Sequence, residues 1–404
     1  MDPPLAAPAE AARILASIHS TPSMTRYTLT MAAVSMVAEM LGLALAWALL
    51  ASGLSRRIGR WATTCGRKTF VAGALFWIVY RGIRWLVFFP LALYANYRMP
   101  HLYGLSNQPL LAWFGDRLKG LLTDAAIGAV VAGAFLWSVR RWPVRWPLVF
   151  AAIATVLSAF LVFVTPIAID PMFNKFTPLP LTSPLRPGIE SLARRAGIPD
   201  ATIFVVDKSR QTNETNAYVT GLGSTKRIVI WDTLIRKAPQ DQLDAIVAHE
   251  IGHYVERHVL IGFVVMSAAF FLVLPLIRFL SLALLARWGE RWGASVLHDP
   301  TAIPAVLLVV SVLGIAAAPI NAAASRMIEH RADSFGLALC RDRTAMARAF
   351  IGLSRDNLSL PDPPAWIALL EDHPTLRSRA EYALYGKPSQ LWPIPPMLPE
   401  RTRN

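Results

Sequence analysis

Apolar residues gather in this chain into six long stretches, at about 28–53, 70–97, 119–139, 147–169, 259–286 and 303–323. Each reaches the roughly 20 residues that a helix needs to cross a bilayer. Within lipid every backbone amide must be satisfied inside its own segment, so these stretches are expected to be helices. A mean hydropathy of +0.42, with 54% hydrophobic and 16% charged residues, excludes an ordinary soluble globule and makes the lipid bilayer the first partner. Met1 to Ser23 has no basic start followed by a continuous apolar core, so no cleavable leader is expected. The first span would serve as the insertion signal.

The formal charge of +14 raises the question of nucleic acid. Its basic residues, however, sit mostly in short loops beside the spans, where they read as topology anchors and not as a nucleic-acid surface. The loop at 54–69 carries Arg56, Arg57, Arg60, Arg67 and Lys68. With those at 140–146 and 287–302 it holds ten Lys or Arg, more than the short segments of the other face. By charge alone, the face opposite these loops, which carries both chain ends and the long polar segments, would lie outside the cytoplasm. Arg81 and Arg84 fall near the middle of the second span, where a lipid-facing charge costs at least about 2.5–3.5 kcal/mol, so they are expected to face protein or a hydrated interior. Asp124 and Arg278 pose the same question nearer the ends of their spans. Cys65 and Cys340 lie far apart in sequence, which gives neither a disulfide framework nor a Cys-type metal site.

Between the spans lies His249-Glu250-Ile251-Gly252-His253, a His-Glu-x-x-His pattern. On a helix the two imidazoles share one face, one turn apart, and fill two positions of a tetrahedral zinc site, while Glu250 is placed to act on a water beside the ion. The helix is expected independently: Leu243, Ile246, Val247 and Ile251 form an apolar stripe after Pro239. The pattern runs on through His258 into the fifth span. The metzincin arrangement of a third His would need Gly and His where this chain has Glu256 and Val259, so His258 reads as an interfacial residue at the mouth of the span.

Ile169 to Pro178 closes the fourth span, and the composition turns to that of a soluble segment. A helix is expected over Gly188–Ala196 and strands over Thr202–Val206 and Arg227–Trp231, with a turn at Gly221–Ser224 after Asn216-Ala217-Tyr218-Val219. Such strands could offer an edge to an extended peptide. Beyond the sixth span, Glu329 and Asp333 stand four apart, so one carboxylate could bind zinc while the other holds a ligand His in its binding tautomer. Two His and a distant Glu are the ligand set of thermolysin-type enzymes.

These stretches together resemble the type I CAAX prenyl endopeptidases, a family of integral-membrane zinc metalloproteases. Its signatures are the His-Glu-x-x-His helix and the later Glu329-x-x-Ala332-Asp333, and further matches follow in order at His101–Ser106, Phe173–Leu179, Asn216-Ala217-Tyr218 and His373-Pro374. The resemblance covers roughly residues 70–385. It implies a mainly α polytopic membrane protein, with about six transmembrane helices forming a chamber and a thermolysin-like (gluzincin) α/β catalytic subdomain. It implies one zinc per chain held by His249, His253 and Glu329, Glu250 as base, Asp333 behind the ligands, Asn216 on the peptide backbone, and His373 with Arg379 at the oxyanion or substrate. Eukaryotic members have seven spans and six are found here, the missing one at the N-terminal end. They also cut on the cytosolic face, opposite to the charge argument.

The domains expected are a head at 1–27, a four-span domain at 28–169, a catalytic subdomain at 170–258, two further spans at 259–323, the rest of the catalytic subdomain at 324–385, and a tail at 386–404. The function expected is zinc-dependent hydrolysis of membrane-associated or CAAX-like prenylated peptides in a bacterial inner membrane. A membrane quality-control protease and an intramembrane site-2-type protease are the alternatives. The latter needs its motif inside a span, whereas here Arg236, Lys237, Gln240, Asp241, Gln242 and Asp244 precede it.

Overall fold

The computed structural model describes residues 5–220 and 227–386. The expected turn at Gly221–Ser224 and all of the tail beyond residue 386 lie outside the described residues. Among the described residues, six helical segments are long and apolar enough to cross a membrane: Pro22–Ala51, Thr69–Leu102, Leu110–Arg141, Trp146–Met172, His258–Trp292 and Pro300–Cys340. All six expected spans are therefore present, each longer than its apolar stretch. The extra turns carry polar residues out of the bilayer to the catalytic face at one end and to the Arg-rich face at the other.

Two separate hydrophobic clusters divide the molecule. The membrane cluster is built around Phe76, Leu136, Trp146 and Leu50. Helix α4 (Thr69–Leu93) and helix α6 (Leu110–Arg141) pack through small residues: a Cβ on Gly73 would stand 2.7 Å from the Ala132 carbonyl oxygen, and one on Gly133 the same distance from that of Phe70. In lipid, where burial of apolar surface drives little, such close backbone approach is what holds helices together. Arg81 Nη2 meets Asp124 Oδ2 at 2.6 Å between these helices, and the Arg84 guanidinium lies 4.0 Å over the Phe88 ring. The two arginines are thus partnered within the protein.

Among the described residues, the catalytic cluster combines a small sheet with seven helices. Strands β1 (Phe176–Pro178), β2 (Thr202–Val206), β3 (Ala217–Thr220) and β4 (Arg227–Trp231) run in the order β1-β2-β4-β3. The β2–β4 pair is parallel, and the outer pairs are antiparallel. Strand β3 is an edge beside helix α10 (Gln240–Val255). Strand β1 falls where only the end of a span was foreseen, and its Pro178 is tolerated because β1 too is an edge.

Three segments are more closely joined to their neighbours than the expected bounds imply. The head at 1–27 packs on the catalytic cluster. Helix α1 (Pro8–Ala16) buries Ala11 and Ile14 in the catalytic cluster, and Glu10 pairs with Arg348 at 2.8 Å. This places the N-terminal segment and the catalytic residues on one face, as an even number of spans requires. The segment 54–69 is not a plain loop, since helix α3 (Leu54–Cys65) packs on the turn before the last span, with Ser55 Oγ donating to Thr301 O at 2.8 Å. The division at residue 323 is bridged: helix α12 (Ile303–Cys340) runs unbroken from the membrane into the catalytic cluster.

The loop after α4 docks the membrane part onto the catalytic part. Leu105 O accepts from Asn213 N and Thr212 Oγ1, both at 2.8 Å, and Asp116 Oδ2 accepts from Gln108 Nε2 at 2.7 Å and Gln211 Nε2 at 2.9 Å. Helix α12 then crosses α10 at backbone contact. A Cβ on Gly336 would stand 2.8 Å from His249 Cα, and one on Gly252 would stand 3.1 Å from the Ala332 carbonyl oxygen. Overpacking typically costs about 1–3 kcal/mol. Gly336→Val is expected to part the helices and lose zinc, measured as metal content after gel filtration, while Gly262→Ala, with open space around it, keeps both fold and metal.

Candidate metal centre and active site

Helix α10 starts at Pro239 and ends where Arg257 adopts a left-handed φ of 58°. The break corrects the expectation of a continuous helix through His258. It turns helix α11 (His258–Trp292) away from α10 and brings His258 back against the motif. The left-handed turn follows the tie of Glu256 to Arg331 on α12, which anchors the end of α10.

The crossing of α10 and α12 brings together three groups that could hold a metal ion, His249, His253 and Glu329. His249 Nε2 and His253 Nε2 lie 3.2 Å apart, His253 Nε2 is 3.3 Å from Glu329 Oε1, and His249 Nε2 is 3.4 Å from Glu329 Oε2. A tetrahedron with zinc bonds of 2.0–2.1 Å has edges of about 3.3 Å, so the donor set matches zinc in both chemistry and size. Glu329 is buried, with its two carboxylate oxygens turned to the two imidazoles, as ligand oxygens would be.

Each ligand imidazole is held from behind. Asp333 Oδ1 lies 2.8 Å from His249 Nδ1, and Asp333 is itself clamped by Arg379, whose Nε and Nη2 donate to its two oxygens at 3.0 and 2.7 Å. Burial alone would lower the His249 pKa, but hydrogen bonds that its ring donates to Asp333 and Glu329 outweigh it and raise it to about 9. Such a basic imidazole is a strong ligand once a metal displaces its proton. His258 Nδ1 lies 3.0 Å from His253 Nδ1, so a neutral His258 can accept the proton that fixes His253 with Nε2 free for metal. His258 is therefore a buried partner of the centre and not an interfacial residue.

The centre opens into a cavity of about 380 Å³ lined by Asn216, Glu250, Phe350 and His373. Burial raises the Glu250 carboxyl above its ordinary value, while His249 and His253 pull it back down. His373 receives Asp372 on Nδ1 at 2.7 Å, which raises its pKa, and its Nε2 is 3.5 Å from Glu329 Oε1. Arg326 on α12 fixes this loop by donating to the carbonyls of Ala368, Leu369 and Glu371 at 3.2, 3.4 and 2.7 Å. Asn216 is exposed just before the edge strand; its Oδ1 accepts from Ala217 N at 2.8 Å. Behind it, Thr215 and Asn357 exchange two hydrogen bonds, of 2.8 and 3.1 Å. Arg379 also lines this cavity; it is buried, its guanidinium 4.1 Å over the Phe350 ring and hydrogen-bonded to Asp333.

His258 and Arg326 were missed as parts of the site. A His five residues past the second ligand was a usable signal for the first, but it can reach back only because the helix breaks. Nothing marked Arg326, whose partners are backbone carbonyls remote in sequence.

Two His and one Glu that would hold zinc, with a carboxylate beside them and six candidate spans in the same chain, are the features of a membrane zinc metallopeptidase. Comparison places it further. Residues 182–385 match the model of peptidase family M48, and residues 7–175 match "CAAX prenyl protease N-terminal, five membrane helices". The chain belongs to peptidase family M48, whose members are zinc metalloproteases. It is 34% identical to an uncharacterized metalloprotease, YhfN, of Bacillus subtilis over 339 residues, covering 83% of this chain and 78% of that protein. It is 28% identical to the CAAX prenyl protease 1 homolog of Arabidopsis thaliana, over 77% of this chain and 72% of the other. The crystal structure of S. mikatae Ste24p superposes with a TM-score of 0.76 at 26% identity, covering 93% of this chain and 94% of that one. Four candidate spans lie within the region that the N-terminal description gives as five helices, in keeping with a total of six.

If His258 fixes the His253 tautomer, His258→Ala weakens zinc binding by roughly 10- to 100-fold, read by competition with a chromogenic chelator. His330→Ala, at an exposed residue of the same helix whose ring packs on Tyr382, leaves the affinity unchanged.

Proposed function

We propose that this membrane metalloprotease cleaves peptide bonds near the C-terminus of membrane-associated substrates, CAAX-like prenylated peptides among them, with His249, His253 and Glu329 as its zinc ligands. The observation that carries this reading is the site's place. The three ligands, the edge strand and the cavity sit where α11 and α12 leave the bilayer, so an extended peptide tethered to the membrane can reach them. Relatives titled CAAX prenyl protease 1 support the substrate class. Zinc in this donor set supplies Lewis acidity to the scissile carbonyl and to a water molecule.

The remaining steps fall to the chain's own residues. The exposed edge of β3 and the Asn216 amide hold the peptide backbone, extended, across the cavity. Glu250, its pKa lifted by burial, removes the proton of the attacking water and then delivers it to the leaving nitrogen. His373, its pKa raised by its hydrogen bond to Asp372, is placed to donate towards the oxygen on which negative charge develops. Asp333, locked by Arg379, keeps the His249 ring in register throughout, since a small misplacement of a ligand is enough to lose rate.

Glu250→Gln should keep its zinc and lose about 10²- to 10⁴-fold in turnover of a farnesylated C-terminal peptide, assayed by mass spectrometry of the released fragment. The same peptide without its farnesyl group should be cut at least on the order of tenfold more slowly by the native protein. Equal rates would favour a quality-control protease that reads unfolded membrane segments.

A further inference from the structure

At the membrane face opposite the zinc centre, four cations converge on one groove. Arg67 and Lys68 come from the connection before α4, and Arg140 and Arg141 from the last turn of α6. The groove measures about 900 Å³, and its floor includes the exposed ring of Trp137 and Ile153 of the fourth span. Arg140 is aimed by a 2.9 Å hydrogen bond from its Nη1 to Thr69 Oγ1. Among the described residues no carboxylate lines the groove or forms an ion pair with any of the four.

Arg287, near the same face, lies 4.6 Å over the Trp288 ring and does not line this groove. Here, four unneutralised charges from two segments meet above an apolar floor that continues into the lipid-facing surface of the spans. A ligand that completes this site needs a negative head at the membrane surface and an apolar tail below it. We propose that the groove binds the phosphodiester headgroup of an anionic phospholipid, with an acyl chain lying along Trp137 and Ile153. Juxtamembrane cations attract such lipids over zwitterionic ones, and a pocket between spans converts that attraction into a defined site.

The test uses the full chain, delipidated in a neutral detergent and titrated with dioleoylphosphatidylglycerol or dioleoylphosphatidylcholine under native mass spectrometry. Retention of phosphatidylglycerol at concentrations at least on the order of tenfold lower than phosphatidylcholine is expected. Arg67→Gln with Lys68→Gln, and separately Arg140→Gln with Arg141→Gln, should each weaken it by about fivefold per cation removed. Arg287→Gln should change nothing, and the zinc content of every variant reports that it is folded. Equal retention of the two lipids, or zinc-loaded variants that bind phosphatidylglycerol as the native protein does, would overturn the proposal. So would displacement of the lipid by equimolar inorganic phosphate, which would mark a free-anion site.

Discussion

The backbone contact between α10 and α12 is the constraint on which the rest of the structure depends. Gly252 and Gly336 let two helices from distant parts of the chain approach until His249 Cα abuts the neighbouring helix. Only at that separation can Glu329, on one helix, stand 3.3–3.4 Å from two imidazoles on the other. The same crossing brings Asp333 to His249 and Arg331 to Glu256. Because α12 continues into the bilayer as the sixth span, the metal centre is tied mechanically to the membrane part. Its height above the lipid follows from the length of that helix.

Charge placement explains why so polar a cluster survives burial. Arg379, Asp333, His249 and Glu329 are all buried, and any one of them alone would be costly. Together they alternate in sign, with Arg379 bidentate on Asp333 and Asp333 on His249. Removing one member leaves another uncompensated, so this set acts as a unit. Glu250 stands apart from the chain of pairs and faces the cavity, where a proton carrier is needed.

Much of this was legible from spacing alone. The spans declare themselves by length and hydropathy, and the His249–His253 pair by its four-residue interval, because both signals are local. What stayed hidden depends on distant partners. The helix at Pro8–Ala16 is only nine residues long, too short to announce burial, and only the catalytic cluster shows why Ala11 and Ile14 are covered. The break at Arg257 carries neither Gly nor Pro, so the sequence reads as continuous helix; in the fold Arg257 is left-handed, beside the tie of Glu256 to α12. His258 takes its role from that break. Arg379 is one of several arginines near its end of the chain, and its commitment to Asp333 follows from the packing of its helix, Leu376–Tyr385, beneath the centre.

The central claim is that α10 and α12 together build one closed donor set of two imidazoles and one carboxylate. X-ray absorption at the zinc edge, on the purified full chain, tests this directly. Multiple scattering from two imidazoles, with nitrogen and oxygen at about 2.0–2.2 Å and no sulfur, is the predicted result. A third imidazole in the first shell would contradict it, since His258 or His373 would then stand where Glu329 is placed. A sulfur shell at about 2.3 Å would contradict it as well, because it would draw the metal to Cys65 or Cys340.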